Sequence, residues 1–282
     1  MSSTRSALDA DWLALCRRAA QGLERVLTDA PTTAERAVET GTRGEGGDRT
    51  LVIDRSAEDV VIEQLDVLRE QGYTFSAFSE ERGAVDFGDP SIRVVIDPID
   101  GSLNAKRGLP HHALSIAVAD GETMADVAFA YVYDFGPREE WWAERGSGAW
   151  LNGKRLDPSM PERCSSDGRV EVLGIESADP RWVALKIDRL VDVTYRLRAL
   201  GTIASSLCQV AGARFDAMLS LRNSRGVDAA AGQLIVREAG GVVSFPGLEG
   251  GPLAAPLDAT PSSPVVAARN EQTLARLEEI AG

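Results

Sequence analysis

A short apolar, β-branched run over residues 91–96 leads directly into Asp97-Pro98-Ile99-Asp100-Gly101-Ser102-Leu103-Asn104. The run predicts a buried strand. A strand that delivers acids to its C-terminal end suits an open α/β sheet, where ligands bind at that edge. Pro98 fixes the bend between Asp97 and Asp100, so both carboxylates can face one cation. Gly101 admits close backbone approach, and the N–H groups of Gly101 and Ser102 open a short helix suited to an anion. By itself the string is equally a good turn with no ligand, so the rest of the chain has to decide.

At 282 residues the chain suits one large α/β domain or two closely packed subdomains. No apolar run reaches membrane-spanning length, and the N-terminus shows no basic segment followed by a hydrophobic stretch and a cleavage site, so a cytoplasmic protein is expected. Cys16, Cys164 and Cys208 are widely spaced and read as reduced structural thiols. With only His111 and His112 beside them, zinc is not expected. A net charge of −13 argues against nucleic-acid or membrane partners, which need a basic footprint. Phosphate esters remain open, because metal ions and a few local Lys or Arg residues can reverse the field at a site.

Apolar periodicity predicts a first helix over residues 7–27, then a glycine-containing loop over 39–50. Residues 51–54 read as a short strand, and Ser56-Ala57-Glu58-Asp59 as a capping-box variant that opens a helix through Leu68, with Asp54 just before its start. A strand over 73–79 ends in Glu80-Glu81. Runs at 113–118, 126–133, 139–143 and 149–151, separated by turns, predict an antiparallel meander. Past a polar connection the pattern alternates: strands at 169–175, 195–199, 215–220, 241–245 and 265–268, helices at 180–190, 203–211, 227–239 and from Asn270. An N-terminal α+β part, residues 1–160, and a C-terminal α/β part, residues 161–282, follow from that change. In Gly226-Val227-Asp228-Ala229-Ala230-Ala231-Gly232, Asp228 reads as a partner for the helix dipole. The small residues after it let the helix tip enter a crowded site.

Ser79-Glu80-Glu81, Asp97 to Ser102, Gly226 to Gly232 and Glu238-Ala239-Gly240-Gly241, in this order, resemble the motifs of the inositol monophosphatase and fructose-1,6-bisphosphatase superfamily. Residues 104–110 and 113–116 are similar to its dual-activity archaeal-type members. The resemblance implies an α/β, α+β layered sandwich with a mostly antiparallel N-terminal sheet. It implies a magnesium-dependent phosphomonoesterase for small polyol or sugar phosphates, inositol 1-phosphate and fructose 1,6-bisphosphate first. 3′-Phosphoadenosine 5′-phosphate, histidinol phosphate and NADP are alternatives in the same superfamily; a noncatalytic interaction protein and a calcium-binding structural module are alternatives of other classes.

By the same resemblance, Glu80, Asp97 and the Ile99 carbonyl hold one magnesium, Asp97, Asp100 and Asp228 a second, and Glu81 with Glu80 a third, with manganese as a substitute. Glu80, Asp54 and Ser102 are the implied catalytic residues, and the Gly101 and Ser102 N–H groups the phosphate site. Lithium inhibition and a homodimer are also implied. Leu221 stands where animal-type inositol phosphatases carry an acid, which argues against exclusive inositol phosphate specificity. Ala105 replaces a frequent Phe, and Gly226-Val227 a frequent Trp. Asn104, Lys106, Arg107, Arg198, Arg222 and Arg225 are candidate substrate contacts, although each cation taken singly also reads as solvated surface charge. His111 and His112 read as pocket-lining or as turn and packing residues.

Overall fold

The computed structural model describes residues 5–43 and 49–282. Its helices are α1 (Trp12–Asp29), α2 (Thr33–Arg36), α3 (Val52–Glu70), α4 (Ser102–Arg107), α5 (Pro180–Leu190), α6 (Ile203–Ala211), α7 (Gly226–Glu238) and α8 (Glu271–Ala281). Two small pairs of strands flank the main sheets. β1 (Arg5–Ser6) runs parallel to β4 (Tyr73–Thr74), and β2 (Glu39–Arg43) antiparallel to β3 (Arg49–Leu51).

The larger sheet holds β5 (Ser76–Ser79), β6 (Gly83–Asp86), β7 (Arg93–Asp100), β8 (Ala113–Ala119), β9 (Val127–Asp134), β10 (Glu139–Glu144), β11 (Gly148–Leu151) and β12 (Lys154–Arg155). Its order is β12-β11-β10-β9-β8-β7-β5-β6, antiparallel throughout except where β5 meets β7. The second sheet holds β13 (Val170–Glu176), β14 (Thr194–Arg198), β15 (Ala217–Ser220), β16 (Val242–Ser244) and β17 (Val266–Ala268), in the order β14-β13-β15-β17-β16. β13 is parallel to both of its neighbours.

Alternation along the strands explains the layering, because successive side chains face opposite sides of a sheet. Val94 and Ile96 of β7 join Leu15 and Leu23 of α1 and Val61 and Leu65 of α3 in one core. Val95 faces the other way, into a core with Leu207 of α6 and Ala230 and Leu234 of α7, which also receives Met218 and Ala267 from the second sheet. The opposite face of that sheet packs Leu173 and Val266 against Leu190 of α5 and Leu274 and Leu277 of α8. The product is a five-layer stack of helices, sheet, helices, sheet and helices, the layered α/β arrangement expected. On β10 and β11, Trp142 and Trp150 stack with ring centroids 3.9 Å apart and planes inclined by 3°.

Four local expectations change. Residues 7–9 form a single 3₁₀ turn, and α1 begins at Trp12 because the Asp11 carboxylate accepts the Ala14 N–H at 3.0 Å. The loop expected over 39–50 contains β2 and β3; residues 44–48 lie outside the described residues. The strand expected over 51–54 goes no further than Leu51, the last residue of β3: α3 starts at Val52, and Asp54 sits in its first turn, where it accepts the Leu51 N–H at 3.2 Å. Ser56 to Asp59 are therefore helix interior. The strand over 73–79 breaks at Phe75, which is buried between Trp12 and Phe87, and β6 follows where a loop was expected. Among the described residues no helix is long and apolar enough to cross a membrane.

Candidate active site

Three elements bring carboxylates to one place. β7 runs on to Asp100, with its pairing to β8 irregular between Asp97 and Asp100. In that irregular turn Asp97 Oδ1 accepts the Ile99 N–H at 3.0 Å, while Oδ2 is buried with no hydrogen-bond partner. The turn between β5 and β6 carries Glu80 and Glu81. Glu58 of α3, fully buried, fixes this turn by accepting the Ser79 hydroxyl and, at 3.0 Å each, the Arg82 N–H and guanidinium. Asp54 enters from the first turn of α3, and its Oδ1 is also buried without a partner. Asp54, Glu80, Glu81, Asp97, Ile99 and Ser102 line one small cleft.

Asp100 and Asp228 stand beside it. Asp100 Oδ2 accepts the Thr202 hydroxyl and, at 2.6 Å, the Ala204 N–H, so it holds the start of α6. Asp228 is in the first turn of α7 and accepts from Arg225, whose guanidinium lies 2.8 Å from Oδ1 and also pairs with Glu80. Arg225, expected at a substrate phosphate, is thus an internal counter-ion between two of the acids. Among the described residues no three acids, imidazoles or thiols converge into a ready cation cage.

Crowding shows in the proton affinities. Burial pushes the Asp54 carboxyl up to about 7. Burial, reinforced by Glu80 and Asp100, pushes Asp97 well above the usual carboxylate range, and burial with Asp228 does the same to Asp100. Burial also raises Glu80, against the pull of Arg225. Burial opposes the charge on Arg225, but the Asp228 and Glu80 carboxylates outweigh it and hold the guanidinium more firmly protonated. An oxygen-only donor set with two orphaned buried carboxylate oxygens fits a hard divalent cation such as magnesium and offers nothing to a thiophilic metal.

Gly101 opens α4 at φ 87°, where a Cβ would stand 3.1 Å from the carbonyl oxygens of both Gly201 and His111. The Ser102 hydroxyl donates to the Ile99 carbonyl at 3.1 Å, the oxygen expected to face a cation. Asn104 is a strut: its amide nitrogen donates to the carbonyls of His111 and Leu200 at 2.8 and 2.6 Å. Lys106 is near enough to Asp54 to oppose its upward shift. Arg107 is exposed in the last turn of α4. Arg198 is exposed and donates to the Leu197 carbonyl, away from the clefts described. Arg222 lines a cleft beyond Asp228 with Leu221. His111 pairs with buried Asp134 at 3.0 Å, and His112 stacks on Phe135 in a separate cleft.

Glu176, Thr202 and Glu58 escape sequence reasoning. Glu176 ends β13 and accepts the N–H groups of Leu200 and Gly201 at 3.1 and 3.0 Å and the Ser206 hydroxyl, so it shapes the loop that meets Asp100. Its signal in the sequence is only an acid at the end of an apolar run.

The model of the inositol monophosphatase family matches residues 10–281. A protein from Methanothermobacter thermautotrophicus named fructose-1,6-bisphosphatase/inositol-1-monophosphatase is 36% identical over 244 residues, covering 83% of this chain and 84% of that protein. Nus factor SuhB of Escherichia coli is 36% identical over 212 residues, covering 74% of this chain and 75% of its own. Among solved structures, the extragenic suppressor protein suhB from Bartonella henselae superposes with a TM-score of 0.77 at 26% identity, covering 96% of this chain and 98% of that one. The chain belongs to the inositol monophosphatase family of phosphatases.

Proposed function

We propose that the chain is a magnesium-dependent phosphomonoesterase acting on small polyol or sugar phosphates, inositol 1-phosphate and fructose 1,6-bisphosphate among them. The observation that carries this reading is the shared cleft of Asp54, Glu80, Glu81 and Asp97, with two buried carboxylate oxygens left without donors. Glu80, Asp97 and the Ile99 carbonyl are assigned to one ion, Asp97, Asp100 and Asp228 to a second, and Glu81 with Glu80 to a weaker third. Bound magnesium supplies positive charge that polarises the phosphoryl group and stabilises the departing ester oxygen. From the chain, Asp54 and Ser102 orient the attacking water, and Glu80 draws off its proton. The Gly101 and Ser102 N–H groups hold phosphate oxygens while water displaces the alcohol in line, so no residue is phosphorylated.

Manganese shares the preference for carboxylate oxygen and is the substitute this reading allows; lithium, a small hard cation, is the expected competitor. The chain is further proposed to divide near residue 160 and to work as a homodimer, which sedimentation tests. Phosphate release from inositol 1-phosphate, fructose 1,6-bisphosphate and 3′-phosphoadenosine 5′-phosphate with magnesium is the primary assay. Asp97→Asn should lower it by at least about 10²-fold, the scale of losing one electrostatic stabiliser. Absence of release from every ester by the unaltered protein would sink the proposal. The likeness to Nus factor SuhB supports a second reading, a noncatalytic interaction role, in which partner binding survives Asp97→Asn.

A further inference from the structure

Arg225, the residue before α7, saturates a single carboxylate. Its Nε donates to both oxygens of Asp228 at 3.1 Å, its Nη2 to Oδ1 at 2.8 Å, and its backbone N–H to Oδ2 at 3.3 Å. A carboxylate offers about four acceptor sites, so Arg225 alone fills those of Asp228. Nη1 reaches across to Glu80. Arg36 and Arg269, by contrast, direct their guanidinium hydrogens to backbone carbonyls and tie segments together. Among the described residues, the Arg225 guanidinium fastens no backbone and pairs only with these two acids.

Glu80 and Asp228 are assigned above to different ions, and a guanidinium stays charged at any working pH. Two divalent cations balance the four carboxylates Glu80, Asp97, Asp100 and Asp228. A guanidinium retained among them would add a like charge at close range, where the low dielectric makes repulsion strong. Glu80, Asp97 and the Ile99 carbonyl leave Asp228 untouched, so one ion can share the cluster with Arg225; the second cannot. Arg225 has somewhere to go, because it also lines the cleft of about 670 Å³ beyond Asp228. Only its side-chain torsions have to change, since its backbone stays at the N-cap of α7. We propose that Arg225 is a displaceable stand-in for the second cation: it neutralises Glu80 and Asp228 until a divalent ion takes Asp228, then swings into that cleft. Loading the second ion is therefore a separate and weaker step than loading the first. The inference rests on the metal assignment proposed above and names how that site is regulated.

Manganese binding to the full chain, followed by loss of the free ion's paramagnetic resonance signal, tests it. Arg225→Gln should tighten the weaker class of sites by about tenfold or more, the scale of one charge-assisted hydrogen bond that no longer competes. Arg225→Lys, which keeps the charge, should recover most of the unaltered behaviour. In chelator Arg225→Gln should lower Tm, because Glu80 and Asp228 lose their counter-charge, and manganese should then raise Tm by more than it does in the unaltered chain. The unaltered protein gives a reading that needs no destabilised variant. Its Arg225 Nε–H resonance, identified by its absence from Arg225→Lys, should shift as magnesium is added beyond the first equivalent. A resonance that stays fixed through saturation overturns the proposal. If both proteins bind manganese alike, or Arg225→Gln binds it more weakly, this inference falls alone; if neither binds manganese, the metal assignment falls and takes the inference with it.

Discussion

Asp100 has one oxygen committed to a helix. Thr202 caps α6 through its own hydroxyl oxygen, which accepts the Ser205 N–H at 3.2 Å, and donates the hydroxyl hydrogen to Asp100. Thr202→Val removes both bonds and should cost about 1 kcal/mol, the usual worth of an N-cap. For a chain of this size that lowers Tm by roughly 2–4 °C. Asp100 then keeps the Ala204 N–H but loses its hydroxyl donor, so phosphate release should fall with the same substitution. Calorimetry and the phosphate assay check the two effects separately.

Glu176 gives a pH signature. Burial pushes its carboxyl up to about 7 from an ordinary 4.5. Between those values the unfolded chain has released the proton and the folded chain retains it, so stability is greatest below the lower value and declines as pH rises through the upper one. The full span is on the order of 3 kcal/mol at 1.36 kcal/mol per unit. Glu176→Gln should flatten this slope in urea titrations between pH 4.5 and 7. Overall stability should fall with it, because an amide NH₂ would face the Gly201 N–H or the Leu200 and Ser206 donors. Asp54, Glu80, Asp97, Asp100 and Asp228 are visible in the sequence as acids at the ends of apolar or small-residue runs. Glu176 carries the same mark and Glu58 does not, yet neither role is legible, since the groups they bind lie 21 to 30 residues away and no local pattern marks the pairing.

Among elements, α7 depends most on what its residues lack. At Gly226 a Cβ would press into the Pro256 carbonyl oxygen and the Asp258 backbone, neither of which is a movable side-chain tip. Gly226→Ala should therefore displace the first turn that carries Asp228 and cost about 1–3 kcal/mol, as overpacking does. Denaturant melts and phosphate release should both decline, the second more steeply. The small residues around Asp228 signal this close approach in the sequence. Elsewhere, α5 and α6 coincide with expectation; Pro180 opens the first, and the structure shows Thr202 capping the second. β6 and the opening of α3 do not, since a four-residue strand is defined by pairing with β5, and the Asp54 carboxylate, not Ser56, caps the helix.

At the scale of the molecule, the two sheets share a core. Val95, Ala117 and Val132 from the first and Met218, Val243 and Ala267 from the second meet on α6 and α7. A fragment of residues 1–160 would leave the inner face of the large sheet uncovered, since α6 and α7 lie in the other part. Expressed alone it should lack a cooperative unfolding transition, and mixing it with residues 161–282 should restore one, as circular dichroism would record. The layered class was legible from strand and helix alternation; this interlock was not, because no periodicity within one segment tells which sheet its apolar face will meet. The near-parallel indoles of Trp142 and Trp150 have a different consequence. At 3.9 Å their excited states mix, so the β10–β11 hairpin should give a split ultraviolet couplet that vanishes when the hairpin opens, an optical gauge of the sheet's edge that needs no label.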